Sequence, residues 1–167
     1  MEFSKVKKGL QIFANTVIKQ AKGNLRRHRN NHFITGSSTG NLEGSLGYDL
    51  KVMPKSFSLE FFMDDYGMFQ DEGVRGKKST YSKSKNSRFS FKNKMPPPKS
   101  LDSWIKRKGI EGNIKSLRYV IAKSIFEKGL RASFFFTKPF ENAYLKLPDE
   151  IIEKFALDID ELLDFTT

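Results

Sequence analysis

Cysteine is absent from this 167-residue chain, so neither a disulfide nor a Cys-ligated metal site can form. That absence fits a reducing compartment, or an assembly held together by contacts alone. Histidine is nearly absent too, at two residues, so no Cys/His catalytic pair can be built and a Ser/His pair has no supporting motif. No apolar run approaches the roughly 20 residues of a membrane span, and no membrane partner is expected. Met1 to Leu10 holds three Lys with no apolar stretch behind them, which does not read as a secretory signal. Acidic residues are outnumbered, 19 to 30 Lys and Arg, for a net charge of +11.

What the chain has in excess is phenylalanine, 16 residues of it, enough to furnish a core, an interface or both. Its charge is also segregated. Residues 1–32 sum to +7, 33–74 to −5, 75–109 to +11, 110–147 to +4 and 148–167 to −6. Such separation suits nucleic-acid binding by the basic parts, and equally head-to-tail association of unlike patches.

Val6, Leu10, Phe13, Val17, Ala21 and Leu25 recur at three- and four-residue steps and predict an amphipathic helix over about 4–27. Residues 35–40 are a loop by composition. Tyr48–Met53 and Ser56–Met63 predict two strands joined at Pro54-Lys55, with Phe57, Leu59 and Phe61 on one buried face. Asp64-Asp65 is expected to cap a short helical turn holding Tyr66 and Phe69, closed by Gly73. Residues 75–99, rich in Lys, Ser, Asn and Arg and ended by Met95-Pro-Pro-Pro98, predict a mobile arm with a short strand at Phe89 and Phe91.

Beyond the arm, Ser100 is expected to cap a helix bearing Leu101, Trp104 and Ile105. A second helical stripe runs through Leu117, Val120, Ile121, Ser124 and Ile125 to Gly129. A third helix is predicted over roughly 138–146. Pro148 opens a last acidic helix, about 148–165, with Ile151, Ile152, Phe155, Ile159, Leu162 and Leu163 on one face. The expected fold is α+β: one domain over 1–167, in which a small antiparallel sheet is packed by the long N-terminal helix and by C-terminal helices.

Chemistry is weakly signalled. His28 and His32 stand four apart, but Arg26, Arg27 and Arg29 oppose a metal between them. Asp64, Asp65, Asp71 and Glu72 could hold magnesium for phosphodiester cleavage; capping and solvent exposure explain them more simply. No metal or cofactor is expected. Arg75, Lys77, Lys78, Lys83, Lys85, Arg88, Lys92 and Lys94, interleaved with Phe89 and Phe91, form an anion- or partner-binding arm suited either to DNA or to an adjacent protein. Asp158, Asp160 and Glu161 on the last helix are candidate contacts to the basic part of a neighbouring copy.

Thr39-Gly40-Asn41-Leu42-Glu43-Gly44-Ser45-Leu46 resembles the Thr-Gly-x-Leu-x-x-Ser-Ile element of phage minor tail or tail-completion proteins. In that family a long helix precedes the element and strands follow it, leading to a Tyr-Ala-x-Tyr-Val-Glu-x-Gly-Thr element. Here Tyr66, Phe69, Asp71 and Gly73 take the matching positions, while Glu72 and Val74 depart from it. The family closes on a Pro-Phe-Leu-x-x-Ala-Phe type of segment, and Pro139, Phe140 and Ala143 stand in an extended version of it. Residues 75–128 have no counterpart in the pattern. The resemblance implies a non-enzymatic virion protein that forms a homo-oligomeric ring at the head–tail junction. Its partners would be the portal or adaptor and the tail proteins, with contact to packaged DNA through the arm. The alternative is a DNA-binding phage accessory protein using 75–109.

Overall fold

The computed structural model describes residues 4–30, 40–53 and 56–164, the side chains of 28–30 and 159–164 excepted. In chain order the elements are α1 (Ser4–Asn30), α2 (Asn41–Ser45), β1 (Gly47–Met53), β2 (Ser56–Phe62), α3 (Gly67–Glu72), β3 (Val74–Arg75), α4 (Asp102–Arg107), α5 (Ile114–Lys128), β4 (Gly129–Leu130), α6 (Thr137–Tyr144) and α7 (Leu147–Asp164). The fold is α+β. The chain divides into two compact units. The first combines α1, residues 40–64 and the chain from Phe135 onward; the second spans 65–134.

The first unit is organised by the apolar stripe of α1. Val6, Leu10, Phe13, Val17, Ala21 and Leu25 are all buried, with Ala14 added to the face. Ala21 and Leu25 meet Leu42, Leu46 and Phe135 in the central cluster, and Ile18, Met63 and Phe136 pack around it. The Asn24 side-chain amide donates to the Phe135 carbonyl at 3.1 Å, fixing the chain where it re-enters this unit. Strands β1 and β2 pair antiparallel, Gly47 opposite Phe62 and Met53 opposite Ser56. Phe61 turns inward and meets Phe13, Phe136 and Phe140 edge-on, with centroids 5.4–6.1 Å apart, the geometry favoured by ring quadrupoles. Phe57 and Leu59 are only half-buried, because a two-stranded ribbon has too few neighbours to enclose a whole face.

Helix α7 closes this unit by capping α1. The Asp158 carboxylate accepts from the backbone N–H groups of Lys5 at 3.1 Å and Val6 at 3.0 Å, two of the unpaired donors of the first turn of α1. The Lys5 ammonium donates in turn to the Leu157 carbonyl at 3.2 Å. Gly9 lies against the Lys154 side chain, where an added Cβ would stand 2.6 Å from Cδ and displace that flexible chain. Asp158, a candidate contact to a neighbouring copy by sequence, is thus engaged inside its own chain. Asp158→Ala should cost about 1–2 kcal/mol, as loss of a helix cap does. Asp158→Asn, which keeps an acceptor, should cost less. Thermal unfolding of the two variants checks both, and equal stability of Asp158→Ala and the parent would refute the cap.

The second unit contains the predicted mobile arm, and here the structure departs from the sequence reading. Residues 75–99 are stitched in place by two buried serines. Ser84 Oγ donates to the Leu130 carbonyl at 2.6 Å and accepts from Ala132 N at 2.8 Å. Ser87 Oγ donates to the Gly73 carbonyl at 2.7 Å and accepts from Phe89 N at 3.1 Å. Arg75 N donates to the Phe89 carbonyl and Phe91 N to the Arg75 carbonyl, each at 2.9 Å. The strand expected at Phe89–Phe91 is thus reduced to a single parallel bridge, Arg75 to Ser90. Lys77 N bonds the Phe126 carbonyl, and Lys78 N and Ser79 N bond that of Glu127, satisfying the open C-terminal end of α5. Composition suggested disorder because the anchors are hydroxyls and backbone groups, which hydrophobic pattern does not register.

Other expectations shift in detail. Tyr66, not Asp64 or Asp65, holds the N-cap position of α3 and makes no side-chain cap bond. Ser100 does not cap α4: its hydroxyl donates to the Pro97 carbonyl at 2.6 Å within a 3-10 turn, Pro98–Leu101. Asn113 does cap α5, accepting from Lys115 N at 2.9 Å. In α5 the buried positions are Ala122 and Ile125, while Val120 is 63% exposed. In α7 Ile152 is 68% exposed and Phe155 is also outside the core. The Pro54-Lys55 joint and the loop at 35–39, with Thr39 in it, lie outside the described residues.

Candidate interaction surface

The residues of the three phage-like elements fall on turns and packing positions. Gly40, with φ of 81°, precedes α2, and its carbonyl accepts from Gly44 N at 2.9 Å. That φ is one at which glycine carries no Cβ penalty. Leu42 and Leu46 fill the core, and Ser45 Oγ donates to the Leu42 carbonyl while accepting from Asp64 N at 3.0 Å. Pro139 is buried; Phe140 stacks between Phe136 and Tyr144 at 6.0 and 5.7 Å, with Ala143 half-buried. The middle element lies in the second unit. Asp71 is fully buried and Gly73 has φ of 73°, while Tyr66 and Phe69 are partly exposed.

This separates the acidic cluster raised as a metal site. Asp71 is buried, whereas Glu72 is turned toward Arg88 in an ion pair of 2.9 Å. Among the described residues no three His, Asp or Glu side chains gather in a metal-holding group. His32 and the side chain of His28 lie outside the described residues, as do the side chains of Asp160 and Glu161. Among the described residues no helix is long and apolar enough to cross a membrane.

The charge acquires a sharper outline once the units are known. Residues 65–134 hold seventeen Lys and Arg against six Asp and Glu, a surplus of eleven that equals the whole net charge. Arg75, Lys77, Lys78, Lys83, Lys85, Arg88, Lys92 and Lys94 are all exposed. Pairing of Gly129 with Arg75 brings the 75–78 stretch to the C-terminal end of α5. There the Lys78 ammonium hydrogen-bonds Glu127 at 2.8 Å, and that bond, opposed by slight burial and aided by the charges of Lys78, Lys123 and Lys128, holds the Glu127 carboxyl below its ordinary pKa. The Lys77 ammonium sits 5.5 Å over the Phe126 ring.

Beside this basic surface the second unit carries an apolar groove of about 640 Å³. Phe69 and Phe89 meet edge-to-face at 4.5 Å in its wall, and the Arg88 guanidinium lies 4.9 Å over Phe89. Tyr66, Phe91, Pro96, Pro97, Leu101 and Ile125 complete the lining. Gln70 also lines the groove, and its side-chain Oε1 is buried without a hydrogen-bond partner among the described residues. Sequence reasoning found the aromatic residues singly but not the groove. The signal lay in Met95-Pro-Pro-Pro98, read as the end of an arm, whose Pro96 and Pro97 instead build a wall.

No protein-family model, no curated protein and no solved structure matches this chain.

Proposed function

We propose that this chain is a structural subunit of a tailed-bacteriophage virion. Copies of it close a ring at the head–tail junction that links portal or adaptor to tail, and the chain has no catalytic role. The sequence resemblance motivates the reading. The structural observation that supports it best is the amount of apolar side chain left uncovered on so small a chain. Phe62, Tyr119, Val120, Tyr144, Leu145, Ile152 and Phe155 are exposed, spread over both units. Some of them adjoin, Tyr119 beside Val120, Tyr144 beside Leu145 and Ile152 three residues before Phe155 on α7, and adjoining apolar side chains are what a partner protein can cover. The elements that carry the resemblance serve turns and packing rather than chemistry, and heterologous contacts repeated by rotation close a ring. Native mass spectrometry of the purified chain should show a closed oligomer in equilibrium with monomer. In purified virions the labelled subunit should appear by electron microscopy at the neck. A chain that remains monomeric at every concentration and is absent from virions would end this reading.

A second reading is favoured by the confinement of the net charge to 65–134: a DNA-binding accessory protein. It requires affinity for duplex DNA that falls steeply and linearly on a logarithmic salt scale. Titration of labelled duplex at several salt concentrations separates the two, since a protein-only partner leaves DNA affinity weak throughout.

A further inference from the structure

We infer that the apolar groove of the second unit is a socket for the acidic C-terminal end of a second copy of this chain; the inference rests on the ring reading and names the contact that would build it. Three observations converge. The groove is large enough for one face of a helical turn or two, and its walls are aromatic and prolyl. Its surroundings are cationic: Arg75, Arg88 and Lys92 directly follow or precede lining residues Val74, Phe89 and Phe91, and all three are exposed. The chain itself supplies a segment of matching chemistry. Beyond Asp158, which α1 holds, the sequence reads Ile159-Asp-Glu-Leu-Leu-Asp-Phe165, four apolar residues interleaved with three acids.

Helix α7 carries this segment as far as Asp164. Ile159, Leu162, Leu163 and Phe165 would enter the groove of the neighbour. Asp160, Glu161 and Asp164 would meet its basic rim. Because segment and groove are unlike surfaces, each copy gives one and receives one, the arrangement a closed ring needs. The Asp158 cap gives the contact a fixed base, so the acidic end is presented by an anchored helix.

A benzophenone amino acid in place of Leu163, in a mixture of isotopically heavy and light full-length chains, tests this directly. Irradiation should give heavy–light crosslinks at Phe69, Phe89, Phe91 or Pro97. Phe69→Ala, at an exposed position, should reduce their yield by about tenfold, as removal of an aromatic anchor does. Lys92→Glu should reduce it at low salt and less at high salt. Crosslinks confined to one chain, or to the first unit of a neighbour, overturn the socket. An oligomer that forms with unchanged crosslinks in Phe69→Ala does so as well, and leaves the ring reading intact. Absence of any oligomer removes both. Displacement of the crosslinks by short duplex DNA at low salt would assign the groove to nucleic acid instead.

Discussion

Phe135→Ala should destabilise the protein by about 3–5 kcal/mol, the range for removing a fully buried aromatic side chain. Phe135 has no exposed surface and touches the cluster of Ala21, Leu25, Leu42 and Leu46, so it joins α1 to α2 at the point where the chain re-enters the first unit. None of those neighbours is large enough to fill the void without moving α1. For a chain of this size the melting temperature should fall by on the order of 10 °C. Hydrogen exchange should rise most in α1, α2 and the hairpin, with the second unit less affected. Leu145→Ala serves as the control: Leu145 is 78% exposed and its loss should change stability by less than about 0.5 kcal/mol. If the two variants unfold alike, the central cluster does not hold the first unit together.

The second large effect is expected at Gly129. Its φ of 82° with ψ of −171° lies in a region essentially closed to residues with a side chain. A Cβ there would strike the Val74 carbonyl oxygen and stand 2.6 Å from Gly76 N, both of them backbone atoms that cannot swing aside. Gly129→Ala combines about 1–3 kcal/mol of conformational strain with that collision, and Gly129→Val should prevent the second unit from folding. Gly73, with φ of 73° and ψ of −174°, repeats the conformation at the other end of the short β3–β4 pairing. The two glycines together let the strands approach. Urea unfolding of Gly129→Ala is the measurement, and a change below about 0.5 kcal/mol would mean the backbone relaxes freely at this site.

The parts legible in the sequence are those where one local rule decides. The stripe on α1 was visible because seven turns of helix repeat one spacing, and each residue it named is buried. The hairpin was visible because Phe57, Leu59 and Phe61 alternate with polar neighbours. Gly73 and Gly129 were read as stops, which they are, but their service to a pairing between segments more than fifty residues apart has no local mark. The same holds for Ser84 and Ser87. A serine in a polar run looks like a solvated loop, and only the distant carbonyls of Leu130 and Gly73 make it a buried tie. The Asp158 cap was illegible for a related reason: its partners, Lys5 and Val6, lie about 150 positions away. The groove was illegible because 66–74, 89–101 and 125–130 each contribute a few side chains to it, none with a period of its own.

The division of the chain has a bearing on its synthesis. Every residue assigned to the second unit precedes Phe135, so that unit has every element it needs soon after Phe134 leaves the ribosome. The first unit is discontinuous: α1 is translated before residues 65–134, yet lacks Phe135, α6 and the Asp158 cap until after them. Residues 40–64 reach the stripe of α1 early, but its covering is complete only after the translation of more than a hundred residues, at roughly 5–20 residues per second. During those seconds the part of the stripe that awaits the returning chain is open to whatever holds hydrophobic segments in the cell. Closure comes only when Asp158 emerges and caps the first turn of α1.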